Sequence, residues 1–243
     1  PFLQPFYDLI KLFGKQPLAL HRPQIMYAVL HLVFMMLVVV LLVQGQDLLM
    51  VLFVQAFSVI CLVLGGMSVR SPYSWIGSQR KILQMLAYEP VLVLLILAVN
   101  LRDNSFLASK VIENPNPLIF SMPLLFLAFL CVVAIEFQKS PFDVATSHHA
   151  HQEIVKGITL EFSGPFLGLI EIAHCYELAI FFGLMMAFWH TSLIAGFLLA
   201  FCSFLFLLIL DNAFSRLTSY WMLRYMWTVP LTLALANLIW LWR

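Results

Sequence analysis

The chain has 243 residues, 63% of them hydrophobic and 10% charged, with a formal net charge of +1 and a mean hydropathy of +0.97. A soluble domain of this length is about half apolar and about a quarter charged, so the composition excludes one and leaves a polytopic membrane protein. No basic patch supports nucleic-acid binding.

The chain opens with PFLQPFYDLIKLFGKQ, which lacks the basic start, apolar core and small-residue cleavage site of a signal peptide. Residues 1–22 read instead as an amphipathic helix on the cytoplasmic membrane surface. Phe2, Phe6, Leu9, Ile10 and Phe13 share one side, with Asp8, Lys11 and Lys15 mostly on the other. A first residue of Pro1 points to further sequence upstream, a whole span included.

Residues 23–243 form one transmembrane domain. Its apolar runs of about 18–24 residues can each cross a hydrocarbon core of about 30 Å. They lie near 24–43, 48–67, 82–100, 118–136, 160–188, 192–210 and 225–242. QGQD, RSPYSWIGSQRK and LRDNSFLASKVIENPNP read as polar connectors, and 137–157 as a polar cytoplasmic loop. The runs are continuously apolar rather than alternating, so they predict helices and not a barrel: an all-α polytopic bundle of about seven spans.

Alternating the connectors puts ten basic residues on one side: Lys11, Lys15, Arg22, Arg70, Arg80, Lys81, Lys139, Lys156, Arg216 and Arg224. Arg102, Lys110 and Arg243 fall on the other. Basic residues collect on the cytoplasmic side, so the opening helix and the loops at 68–81, 137–157 and 211–224 are expected there. The four cysteines, Cys61, Cys131, Cys175 and Cys202, are far apart inside apolar runs with no CxxC or Cys/His cluster. They read as buried structural thiols, with no zinc or iron–sulfur site in this chain.

Five acids fall in or at the ends of the runs: Glu89, Glu136, Glu161, Glu171 and Glu177. An acid at mid-bilayer costs about 2.5–3.5 kcal/mol on insertion scales, so such groups face the bundle interior, a partner or water. Each alone can be a structural lock on a basic or hydroxyl group; as a set they suit a proton or ion relay. In LEFSGPFLGLIEIAHCYEL, Glu171 and His174 are i,i+3 neighbours, as are His174 and Glu177, so the three can exchange or share a proton. A packing role for His174 is the competing reading. Gly164 and Gly168 form a GxxxG that admits a close helix or loop. Glu89 precedes Pro90, whose missing N–H frees a backbone carbonyl and often marks a bend beside a polar cavity.

The segment PFDVATSHHAHQEIVKG concentrates imidazoles and acids on the cytoplasmic side. His148 and His151 are i,i+3, and His149 and Glu153 i,i+4, but the spacing is not HExxH and no further ligand lies near. A loop folded inward against a partner, at the mouth of a proton path, is the preferred reading over a metal site.

Several segments, in order, carry a resemblance: LQPFYDLIKLFGKQ, SPYSWIGSQRKILQMLAYEP, IEFQKSPFD, QEIVKGITLEFSG and DNAFSRLTSYWML. The chain resembles the membrane subunit of respiratory complex I beneath the quinone-reducing arm. It looks closer still to the matching subunit of energy-converting membrane-bound [NiFe] hydrogenases and formate hydrogenlyase. The resemblance implies a further span before Pro1 and a subunit with no redox centre or cofactor of its own. It also implies partners: hydrogenase large and small subunits, an iron–sulfur subunit and an antiporter-like membrane subunit, with the [NiFe] centre and iron–sulfur clusters held by those partners. The site would be the inner membrane of a prokaryote. Carried over by motif, Glu89 takes the acid of the family's YE or VEP position. Glu136 and Asp143 take those around PFD, and Glu153 and Glu161 those of QEL and EYSG. Arg80 or Lys81 takes the basic position of the SxR loop. Arg70, Arg80, Lys81, His148, His149, His151 and Arg216 would dock partners. The family's loop after PFD is shorter and richer in acids, so 144–151 departs from it, and HHAHQEIVKG leans toward the hydrogenase branch.

The quinone-reducing branch is the alternative function, and a secondary transporter the third, disfavoured because no inverted repeat is visible. Glu161→Gln is expected to uncouple ion pumping or stall turnover in the assembled complex; a fully coupled variant would refute the role assigned to Glu161.

Overall fold

A computed structural model describes residues 3–16, 22–142 and 155–242. They are almost wholly helical: α1 Gln4–Phe13, α2 Arg22–Val43, α3 Leu48–Met67, α4 Pro72–Asp103, α5 Ala108–Glu113, α6 Leu118–Ser121, α7 Pro123–Glu136, α8 Pro165–Ala187, α9 Leu193–Ala213 and α10 Ser219–Trp242. A 3₁₀ turn covers Val155–Thr159. Helices α2, α3, α4, α8, α9 and α10 are long and apolar enough to span a membrane, and α7 is a shorter apolar helix. Most large apolar side chains of α9 and many of α2 face outward, as an exterior solvated by lipid requires. The core forms where α4, α7 and α10 pack, around Val91, Leu125, Phe129 and Met226.

Lipid is as apolar as leucine, so burial of hydrocarbon does not hold such helices together; close packing does. Small residues supply it. Gly66 of α3 lies against Ser74 and Ser78 of α4, and Gly65 against Tyr27 and Phe162.

Three boundaries differ from the sequence reading. RSPYSWIGSQRK is no connector: Pro72, which needs no N–H at a helix start, opens α4 directly after Ser71. At 32 residues α4 is about 48 Å long, so its first turns rise beyond the hydrocarbon. The run 118–136 breaks at Met122, before Pro123. Asn237 of α10, sealed from solvent, repairs this break: its Oδ1 accepts from the N–H of Leu124 and Leu125 at 3.1 and 3.3 Å, and its Nδ2 donates to the Ser121 carbonyl. The run 160–188 becomes helical only at Pro165, leaving Glu161 in the preceding turn.

Pro90 does free a carbonyl, that of Leu86, but the indole Nε1 of Trp227 on α10 donates to it at 3.3 Å. The proline therefore ties α4 to α10 instead of opening a cavity. The cysteines also divide: Cys61 is buried and Cys131 half-buried, while Cys175 and Cys202 lie on the outer face.

The GxxxG of α8 receives α1. A side chain at Gly168 would meet the Phe13 ring and Leu12, and one at Gly164 would stand 2.8 Å from the Gln16 carbonyl. Gly164 also has φ +56° and ψ −134°, a conformation for which a Cβ is a liability. Gly164→Ala should cost about 1–3 kcal/mol, read as a lowered thermal midpoint in detergent with earlier proteolysis at Lys11 and Lys15. An unchanged midpoint would show that α1 is not latched there.

Candidate functional site

The buried face of α4 carries Ser74, Ser78, Lys81, Gln84 and Tyr88, separated by four, three, three and four residues, so they form one stripe. Each is at most 2% exposed. Helix α7 delivers Glu136 to this stripe as its last residue. Lys81 Nζ donates to Glu136 Oε2 at 2.9 Å, with side chains 3% and 0% exposed. Tyr88 and Glu177 of α8 are the next polar groups around Glu136, whose Oε1 has no hydrogen-bond partner among the described residues. Two neighbouring carboxyl groups repel when both are charged, so a proton held at either one eases the pair.

Glu177 extends the cluster along α8, where its Oε2 stands 2.9 Å from His174 Nδ1. On α2, His31 Nδ1 lies 2.9 Å from the Ser58 carbonyl, and the Ser58 hydroxyl donates to the His31 carbonyl at 2.8 Å. With that hydroxyl proton committed, Nδ1–H donates to Ser58 O and Nε2 is left as an acceptor, an assignment made from the bond pattern. A cavity of about 220 Å³ has His31, Lys81, Lys156, Glu171, His174 and Glu177 among its lining. Neighbouring acids, an ammonium and imidazoles around a polar cavity can pass and store protons. Among the described residues no group of three or more His, Cys, Asp or Glu side chains is arranged to hold a metal.

The acids singled out from sequence therefore separate. Glu177, His174 and Glu171 line the cavity, while Glu136 is linked to it through Lys81. Glu89 is half-buried, and its side chain makes no hydrogen bond or ion pair among the described residues. Glu161 contributes its backbone carbonyl, which accepts from Gln24 at 2.9 Å. Asp143, Glu153, His148, His149 and His151 lie outside the described residues.

Arg80 and Lys81 are not loop residues: both are buried within α4. Arg80 donates to Ser219 Oγ at 2.9 Å and to the carbonyls of Phe142 and Leu217, clamping the start of α10 and the residues after α7 to α4. Arg70 is exposed before α4, and Arg216 half-buried before α10. His31, Ser58, Tyr88 and Gln84 were not singled out from sequence. Their signal was a polar group inside an apolar run, which in a membrane span is a functional candidate by default.

A family model described as NADH dehydrogenase matches residues 1–242. A subunit of the NADH-quinone oxidoreductase of Geobacillus kaustophilus (strain HTA426) is 30% identical over 209 residues, 80% of this chain and 62% of that protein. The corresponding subunit from Bacillus cereus (strain B4264) is 29% identical over 208 residues, with the same coverage. The chain thus spans 62% of the length of these curated relatives. Among solved structures, a chain of the membrane-bound sulfane sulfur reductase, an archaeal respiratory membrane complex, shares the fold with a TM-score of 0.84 at 22% identity, covering 99% of this chain and 87% of that one.

Breaking a buried ion pair by removing one partner strands the other charge, at about 3–5 kcal/mol, whereas replacing both costs far less. Lys81→Met should therefore lower the thermal midpoint in detergent more than the double variant Lys81→Met/Glu136→Leu. A double variant no more stable than Lys81→Met would show that the pair does not govern this interface.

Proposed function

Because this multi-pass chain belongs to the NADH dehydrogenase family, we propose that it is the membrane-anchor and ion-coupling subunit of a complex-I-type respiratory complex. It seats a peripheral redox arm on its α1 face and links electron transfer there to ion movement. The observation that carries this reading is the buried Lys81–Glu136 pair beside the His174–Glu177 pair, with Lys81, His174 and Glu177 lining one cavity.

The segments at 68–81, 137–157 and 211–224 lie on the cytoplasmic side, where basic residues gather. When the docked arm changes redox state, Arg80 transmits the shift, because it holds residues after α7 and before α10 against α4. A displacement of α7 against α4 alters the Lys81–Glu136 contact and so the site at which the shared proton rests. A few kcal/mol of differential interaction suffices for such a population shift. Glu89, Glu153, Glu161 and Asp143 extend the path, toward an antiporter-like subunit in the same membrane.

The names of the relatives favour the quinone branch, in which a lipid-soluble quinone accepts the electrons at the junction of this chain and the arm. A second reading, the hydrogenase branch with hydrogenase large and small subunits, an iron–sulfur subunit and a [NiFe] centre in the arm, rests on the histidine-rich HHAHQEIVKG segment. In either branch the iron–sulfur clusters belong to partners and the cell membrane is that of a prokaryote. Purified complex that reduces quinone analogues and evolves no hydrogen supports the first branch; hydrogen evolution indifferent to quinone analogues supports the second.

Glu136→Gln should leave the complex assembled and electron transfer in detergent active, while ion translocation in proteoliposomes falls by about ten-fold or more, the scale of a positioned proton-transfer group. Full translocation by Glu136→Gln would overturn the coupling role.

A further inference from the structure

Two amides stand beside the cluster without an assigned role. Gln84 lies on the α4 stripe, three residues after Lys81 and four before Tyr88, the two residues that bracket Glu136. It is fully buried, and neither Oε1 nor Nε2 has a hydrogen-bond partner among the described residues. Gln55 of α3 is 6% exposed, and its Nε2 likewise has none. The two amides share a level. Gly66 lies against Ser74 and Ser78, and α3 and α4 run antiparallel. Eleven residues back from Gly66 is Gln55, and eleven forward from the middle of Ser74–Ser78 is residue 87, within one turn of Gln84.

A buried amide with no partner carries the full desolvation penalty of its polar atoms, and leucine would fill the same space without it. Native interiors satisfy such groups with internal water, which needs two to four polar contacts. This layer supplies them: the Gln84 amide, the Gln55 Nε2 and the Glu136 Oε1, whose partner oxygen is committed to Lys81. Toward the α5 end, Gln55 borders a cavity of about 390 Å³ whose other lining is apolar. Apolar cavities stay dry, so the hydrated region ends at this layer.

We propose that Gln84 and Gln55 form a water-binding site beside Glu136, and that the water they hold relays the proton that Glu136 shares. Gln84 is thus a positioning residue: its amide orients the water, Glu136 exchanges the proton with it, and no bond to Gln84 is made or broken. The inference rests on the coupling role proposed for Glu136.

The test compares Gln84→Leu, Gln84→Asn and Glu136→Gln in the intact complex, by thermal midpoint, electron transfer in detergent, and ion translocation with its solvent deuterium isotope effect. Gln84→Leu should leave the complex folded, as its thermal midpoint reads, and should keep electron transfer in detergent. Translocation should fall about ten- to a hundred-fold, as for a misplaced reacting group, with an altered isotope effect that Gln84→Asn restores in part. Full translocation by Gln84→Leu beside a defective Glu136→Gln would overturn the water relay and leave the coupling role standing. Full translocation by both would remove the coupling role and the relay with it.

Discussion

A lysine and a glutamate, each sealed from solvent, meet at 2.9 Å between α4 and α7 at the level of the membrane. Taking two such charges out of water costs several kcal/mol apiece, and attraction offsets this only when further hydrogen bonds complete the site. The fold surrounds the pair with further polar groups from four helices: Tyr88 on α4, Glu177 bonded to His174 on α8, and the His31–Ser58 unit of α2 and α3. Apolar residues of the same volume would hold these helices at least as well. A charged pair retained here is thus better explained by what it does than by what it stabilises.

The surrounding architecture keeps that pair in register while leaving one end able to move. Where the backbone is interrupted, a side chain from another helix repairs it: Trp227 at the Leu86 carbonyl freed by Pro90, and Asn237 at the break before α7. Both repairs come from α10, which fixes α4 and α7 toward the end away from α1. Near the α1 end, the contacts are Arg80 to loop carbonyls and α1 on the glycines of α8. Contacts of this second kind join the bundle to its surface segments.

The spans were legible because lipid demands continuous apolar helices of a fixed length: α3 begins and ends where its apolar run does. Their ends were not, since Pro72 starts a helix inside a polar stretch and Pro123 breaks one inside an apolar stretch. The proton-sharing pair His174 and Glu177 follows from i,i+3 spacing within one helix. The pairing of Lys81 with Glu136, 55 residues apart, needs the packing of α4 on α7 and could not be read from spacing. Lys81 itself was misplaced for a clear reason: in a linear reading a basic residue near Arg70 and Arg80 belongs to a cytoplasmic loop, while in the fold the helix carries it inward.

The central claim is that Glu136 sits in a hydrated, proton-sharing cluster and not in a dry lock. A high-resolution map of the intact membrane complex tests it most directly. Ordered water density in the cavity between His31, Lys81, Glu171 and Glu177, running on to the Glu136 carboxyl, is the expected result. Lipid or side chains filling that cavity, with Glu136 closed on Lys81 and separated from Glu177, would contradict it.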